Sequence, residues 1–157
     1  MRCFKVYIST FLFLFLCSCN SAYFKEEIEL DNNYWTYSHP VEFNFEVLDT
    51  SANYDMYLEI HHTDNYPYQN LYLQTTTSLP GDSVIQQLVS FELSDKAGFW
   101  LGKCQGNHCR ISIPIQSNFH FTKLGEYGLR LDQFTRTDSL LGIEKIGLSL
   151  LEIGDKN

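Results

Sequence analysis

The stretch VEFNFEVL, residues 41–48, decides the fold class, because apolar and polar side chains alternate along it. Phe43, Phe45 and Val47 share one face, and the residues between them are polar. A period of two is typical of a β-strand that buries one face and leaves the other in water. Strands of this kind occur mainly in antiparallel sheets.

Six more stretches alternate in the same way, and turn signals such as Pro80-Gly81-Asp82 separate them. No window shows sustained helical periodicity. About seven or eight short strands in roughly 120 residues favour two packed sheets over a closed barrel. We therefore predict an all-β fold for residues 34–157, a single antiparallel β-sandwich of about seven or eight strands. The further alternating stretches are residues 56–61, 70–76, 84–93, 111–115, 127–131 and 146–150.

The first residues have the pattern of an export signal. Arg2 and Lys5 supply positive charge, and residues 6–16 are uncharged and mostly apolar. This apolar stretch is too short to span a bilayer, which requires roughly twenty residues in a helix. We predict that residues 1–18 are a signal peptide that is removed.

The cleavage region indicates a lipid anchor. The tetrapeptide LCSC, residues 16–19, resembles the lipobox of bacterial lipoproteins, in which a small residue precedes the cysteine that is acylated. We therefore predict lipidation of Cys19, with residues 19–33 as a lipidated N-terminus and polar tether. The alternatives are an ordinary secretory signal cleaved near Ala22 or a short buried helix.

The net charge limits the choice of partners. The formal charge of the 157-residue chain is −8, and loss of the two basic residues in the signal leaves −10. An acidic protein of this kind is repelled by nucleic acid and by anionic head groups. We expect no nucleic-acid partner, and we assign membrane binding to the lipid, since two or more acyl chains anchor a protein stably.

Cys104 and Cys109 are the two cysteines that remain after the signal is removed and Cys19 is acylated. In an oxidising compartment two cysteines at this spacing can close a small loop, so they are a candidate disulfide. A soft metal bound by both thiols and His108 is the less favoured alternative, and free thiols are the third.

The mature sequence carries no recognisable catalytic motif, so we expect no enzyme activity and no cofactor. His61 and His62 are adjacent, and adjacent strand residues point to opposite faces, so they cannot share an ion without a bulge. We predict no metal site. A glycosidase pair of carboxylates remains an open alternative, because sequence does not set the distances between them.

Aromatic residues are the remaining candidates for a binding surface. Tyr and Trp bury a large ring while presenting a polar atom, and they dominate hot spots and sugar-stacking platforms. The simpler interpretation is that these aromatic residues pack in the core and on sheet faces. The candidate contact aromatics are Trp35, Tyr66, Tyr68 and Trp100.

Three segments and the lipobox, in this order, resemble the gliding motility lipoprotein GldH family. YPYQNLYL (residues 66–73) is similar to its YPYxNLYL segment, and FWLGK (residues 99–103) to its WLGK motif. DSLLGI (residues 138–143), with IGL at 146–148, resembles its closing motif. After Lys103 the chain departs from the family pattern, which puts in doubt whatever that loop binds in relatives.

The resemblance implies a place in the gliding machinery and the associated type IX secretion apparatus, with no catalytic activity. We expect a lipid-anchored envelope protein at the periplasmic face of the outer membrane that binds other gliding or secretion proteins. The alternative from another class is a carbohydrate-binding lipoprotein of a polysaccharide-uptake system. A glycan-binding assay separates the two.

Overall fold

The computed structural model describes residues 22–154, which fold as an antiparallel β-sandwich. The predicted signal peptide and Cys19 lie outside the described residues. Within residues 22–154, no helix is long and apolar enough to cross a bilayer. The strands are β1 (Phe24–Glu29), β2 (Tyr34–Thr36), β3 (Val41–Val47), β4 (Asn53–Thr63), β5 (Asn70–Leu79), β6 (Ser83–Glu92), β7 (Lys103–Gln105), β8 (His108–Phe119), β9 (Gly125–Gln133), β10 (Ser139–Leu141) and β11 (Ile143–Ile153).

The strands form two sheets and a small ribbon. The first sheet has the order β1-β11-β4-β8-β7, and the second has the order β3-β9-β5-β6. Strands β10 and β2 pair as a separate two-stranded ribbon. Every paired neighbour is antiparallel, so the predicted fold class is confirmed.

The core lies between the inner faces of the two sheets. In β3 the apolar residues Val41, Phe43, Phe45 and Val47 are buried, and the polar residues between them are exposed. The same period of two places buried leucines on β5 and β9. On β11 the five consecutive residues 146–150 are all buried, so both faces of that strand are covered there. Burial of one face of each strand is the main source of stability in such a sandwich.

The strand count differs from the prediction, since eleven strands form within residues 22–154 instead of about seven or eight. The seven alternating stretches correspond to strands β3, β4, β5, β6, β8, β9 and β11, and Leu48 and Leu93 lie one residue beyond the ends of β3 and β6. Strands β2, β7 and β10 have three residues each, too few to show a period.

The folded part begins earlier than the predicted tether allows. Strand β1 pairs with β11, and Phe24 and Ile28 pack against the core, with the Phe24 ring 5.2 Å from that of Phe45. A short 3-10 turn, Asp31–Asn33, then leads into β2. Residues 24–33 therefore belong to the domain. The sequence did not indicate this because Glu26, between the two apolar residues, interrupts the alternation.

Strand β8 is almost an edge of the first sheet. Strand β7 pairs only with residues His108, Cys109 and Arg110, so the rest of β8 has no strand on that side within residues 22–154. Pro114 lies in this free part, where its missing N–H costs no ladder hydrogen bond. The pairing of β8 with β4 shifts register beside it, opposite Met56 and Tyr57.

Candidate functional site

Two loops that carry quoted motifs lie against each other at one end of the sandwich. One joins β4 to β5, and the other joins β6 to β7. The backbone N–H of Leu93 donates to the Gln69 carbonyl at 2.7 Å, and Gln69 Nε2 donates to the Asp95 carbonyl at 3.2 Å. The Asp95 carboxylate accepts from the backbone N–H of Phe99 at 2.9 Å. These bonds hold the two loops in fixed relative positions.

Two of the four candidate contact aromatics are core residues. Trp35 is fully buried and its Nε1–H donates to the His39 carbonyl at 3.0 Å. Tyr66 is also buried, and its hydroxyl donates to the Asn70 carbonyl at 3.0 Å. Burial raises the pKa of the Tyr66 hydroxyl, which stays neutral. Each ring can be buried because a nearby carbonyl satisfies its polar atom, and sequence does not reveal that carbonyl.

The other two candidates, with two neighbours, form an exposed surface that we call the aromatic patch: Tyr68, Phe99, Trp100 and Leu101. Tyr68 is 46% exposed, Phe99 72% and Leu101 53%, whereas Trp100 is half-buried. The sequence marks Phe99 and Trp100 as one aromatic cluster, but only Trp100 was among the candidate contact residues, and Leu101 was not considered. The signal was alternation, since a residue that packs inward on an extended segment leaves its neighbours facing outward.

A buried histidine supports the aromatic patch from beneath. The His62 ring centre lies 4.5 Å from that of Trp100, and Nδ1 donates to the Thr63 carbonyl at 2.9 Å. Burial lowers the pKa of His62, so the ring is neutral. Its Nε2 has no hydrogen-bond partner within residues 22–154. His62 thus acts as a packing residue, which matches the prediction that His61 and His62 face opposite sides.

The loop that departs from the family pattern lies next to this support. Cys104 and Cys109 form a disulfide across the β7–β8 turn, and Cys109 is directly opposite His62 in the register of β8 and β4. His108 Nδ1 instead lies 2.7 Å from a carboxylate oxygen of Glu144. This arrangement favours a disulfide beside the His62–Trp100 contact over a soft-metal site.

A second group of functional side chains lies on the outer face of the first sheet. Ligand atoms of Glu27, Glu59 and His61 all lie within 4.8 Å of one another, although strand β11 separates β1 from β4. Gly147 permits this approach: it lies opposite both glutamates, and a Cβ there would be 3.1 Å from Glu27 Cγ. Sequence reasoning missed the group because strand order alone brings Glu27 to the others.

Basic side chains already compensate the two carboxylates. Arg110 Nη2 lies 2.6 Å from Glu59, and Lys145 Nζ lies 3.2 Å from Glu27. Burial is the largest single influence on the Glu27 carboxyl and opposes its ionisation, but the hydrogen bond and charge of Lys145, with the charges of His61 and Lys25, together lower its pKa. Burial lowers the pKa of His61, against the attraction of Glu27. The arrangement is an ion-pair network across the four strands β1, β11, β4 and β8. It does not form a cleft between two carboxylates of the kind a glycosidase uses.

The fold and site together define a class of protein: an all-β sandwich whose motif loops present an aromatic surface at one end. The chain belongs to the GldH lipoprotein family, whose sequence model matches residues 22–150.

Two relatives cover nearly the whole chain. A gliding motility lipoprotein GldH homolog of Christiangramia forsetii is 25% identical in an alignment 154 residues long that covers 94% of each chain. The gliding motility lipoprotein GldH of Flavobacterium johnsoniae is 20% identical in an alignment 144 residues long that covers 87% of this chain and 89% of its own. Among solved structures, an arabinose-bound α-L-arabinofuranosidase aligns with 73% of this chain and 17% of its own at 11% identity. The TM-score of 0.35 is too low to indicate a shared function.

Proposed function

We propose that this chain is a lipid-anchored, non-catalytic envelope protein that supports gliding motility and the associated type IX secretion machinery. It does so by binding another envelope protein through the aromatic patch. Family membership and the names of the two relatives support the process, and the LCSC lipobox supports the anchor. The observation that carries the contact surface is the exposure of Phe99 and Leu101 on loops that are otherwise rigidly hydrogen-bonded.

The aromatic patch has the properties of a protein contact site. Exposed aromatic and aliphatic side chains around a half-buried Trp match the composition of interface hot spots. The loops are fixed by Gln69 and Asp95, so little conformational freedom is lost on binding. The partner is a protein surface with a complementary apolar pocket, and we place the site at the periplasmic face of the outer membrane.

The first prediction concerns the anchor. Replacing Cys19 with serine removes the acylated thiol, so we expect the protein to move from the membrane fraction to the soluble fraction and to lose labelling by a palmitate analogue. Cys17→Ser is the matched control, because Cys17 is removed with the signal peptide, and it should keep both properties. Membrane retention of Cys19→Ser at the level of the parent would contradict the anchor.

The second prediction concerns the aromatic patch. A photo-cross-linking residue at position 99 should capture one envelope protein in whole cells, and Phe99→Ser with Leu101→Ser should slow colony spreading. A hot-spot pair worth about 2 kcal/mol would weaken binding roughly thirtyfold. Phe134→Ser is the matched control, since Phe134 is also 52% exposed but lies in the β9–β10 loop.

Three results separate the alternatives. Unchanged spreading in the double variant, together with no adduct from the cross-linking residue at position 99, would exclude the aromatic patch as the contact site. Unchanged gliding, adhesin display and type IX export after deletion of the whole protein would reject the proposed process. Retention on a glycan array that is lost in Tyr68→Ala and Trp100→Ala would instead support carbohydrate binding.

A further inference from the structure

An apolar cavity of about 380 Å³ opens between the two sheets, on the side where β6 and β8 lie. It shares no residue with the aromatic patch. Its volume falls in the range of small-ligand sites, roughly 300–1,000 Å³. Its apolar walls include Leu58, Val89, Phe91, Ile115, Phe119 and Phe121.

The cavity exists because the sandwich closes incompletely on this side. Strand β6 is the last strand of the second sheet, and β7, at the corresponding side of the first sheet, has only three residues. Val89 and Phe91 are therefore only partly buried, and Ile85, which lines the cavity, stays 48% exposed. Apolar surface left in water favours an apolar ligand by about 25 cal/mol for each Å² it covers.

The lining specifies a ligand without charge along most of its length. It contains no Asp, Glu, Lys or Arg, and its polar side chains are hydroxyl and amide groups and His120. An extended peptide would bring a backbone N–H and C=O at every residue, each of which needs a partner when buried. A hydrocarbon chain brings no such groups, so the lining fits it better.

The position of the cavity also indicates where the ligand comes from. Tyr23 and Phe24, the first aromatic residues of the described chain, pack on Tyr54 at 5.1 Å and on Phe45 at 5.2 Å. Phe45 is itself part of the cavity wall. Cys19 lies only four residues before Tyr23, and four residues span at most about 14 Å. The anchor thus holds the aromatic wall of the cavity near the bilayer.

We propose that this cavity binds one long-chain acyl group of a membrane lipid that is not the covalent anchor. The proposal rests on the proposed lipid anchor for its source of ligand, but the cavity itself does not depend on acylation of Cys19. In this arrangement the protein holds an acyl chain between its sheets while the aromatic patch, at the end of the sandwich, remains free for a partner.

The test uses the mature chain with Cys19→Ser, so that no covalent lipid is present. Titration with the fluorescent fatty acid cis-parinaric acid should give one saturable site, and palmitate should displace the probe. Thr77→Trp should weaken binding at least tenfold, because Thr77 lines the cavity. Thr76→Trp is the matched control, and binding should not change in it. Thr76 is the neighbour of Thr77 on β5 but is not part of the cavity lining, and its Oγ1 accepts a hydrogen bond from Gln86 Nε2 at 3.5 Å.

A second variant guards against misfolding. Val89→Phe fills the cavity from the partly buried strand β6, and it should also weaken binding while the protein keeps a cooperative thermal unfolding transition. Lipid extracted from protein purified out of membranes distinguishes the sources: a glycerophospholipid or a free fatty acid at one equivalent would each support the proposal. Failure of this test would leave the labelling of Cys19 and the cross-linking at position 99 unaffected.

Three outcomes would overturn the acyl site. The first is the absence of saturable probe binding by the Cys19→Ser chain. The second is an equal loss of binding in Thr76→Trp and Thr77→Trp. The third is displacement of the probe by an apolar strand-forming peptide but not by palmitate, which would mark the cavity as a peptide groove.

Discussion

Replacing Trp35 with alanine should lower the free energy of unfolding by about 3–5 kcal/mol, the usual cost of truncating a buried tryptophan. Trp35 is fully buried in the core, and none of its surface is accessible to solvent. It lies on the three-residue strand β2, opposite the buried Leu140 of β10. Without the ring, the small β10–β2 ribbon loses the side chain that fastens it to the sandwich.

Urea unfolding followed by fluorescence measures this effect, because the chain has two tryptophans and Trp100 remains as the probe. The matched control is Tyr34→Ala. Tyr34 is the preceding residue on β2 and is 46% exposed, so its truncation should change the stability by less than about 1 kcal/mol. A Trp35→Ala protein within about 1 kcal/mol of the parent would show that the ribbon is not fastened in this way.

Replacing Gly102 with alanine should destabilise the fold by about 3 kcal/mol, since there is no space for the added methyl group. A Cβ at Gly102 would lie 2.7 Å from the carbonyl carbon of Arg110 and 3.1 Å from Ile111 Cβ, and nearer still to the Arg110 carbonyl oxygen. The obstacle is backbone of the neighbouring strand β8, which cannot move aside as a flexible side chain would. The segment that carries Phe99 and Leu101 would have to shift instead.

Thermal unfolding should therefore show a Tm lower by roughly 10 °C in Gly102→Ala. Cross-linking from position 99 should fall in the same variant, because the aromatic patch is displaced along with the segment. Gly154→Ala is the control, since a Cβ there meets no atom within 4 Å. A normal Tm for Gly102→Ala would mean that β8 can yield, and it would contradict the close approach on which the prediction rests.

Strands β3 and β1 differ in how far their local sequence predicts their structure. Residues 41–47 were predicted as a strand because seven consecutive positions obey one period, and each obeys it by burying or exposing its own side chain. Strand β1 was assigned to the tether because the charged residues 25–27 separate its two core-packed residues, Phe24 and Ile28. Its strand conformation comes from pairing with β11, more than a hundred residues away, and no local pattern records such a pairing.

The candidate site divides in the same way. The motif segments drew attention to the β4–β5 and β6–β7 loops. Within the candidate set, however, Trp35 and Tyr66 are core residues, whereas Phe99 and Leu101, next to Trp100, are exposed. An aromatic residue in a loop can point either way, and the choice depends on which carbonyl is close enough to accept its hydrogen bond.

The amino-acid sequence by itself determined the fold class, the export and lipidation pattern and the family resemblance. Each of these depends on a pattern among residues that are close together in the sequence. Tertiary structure alone decided which aromatics are exposed, how Glu27 meets Glu59 over Gly147, and that the sheets leave a cavity between β6 and β8. These features depend on the order in which strands pair. That order is set by the packing free energy of the whole sandwich and not by any one segment.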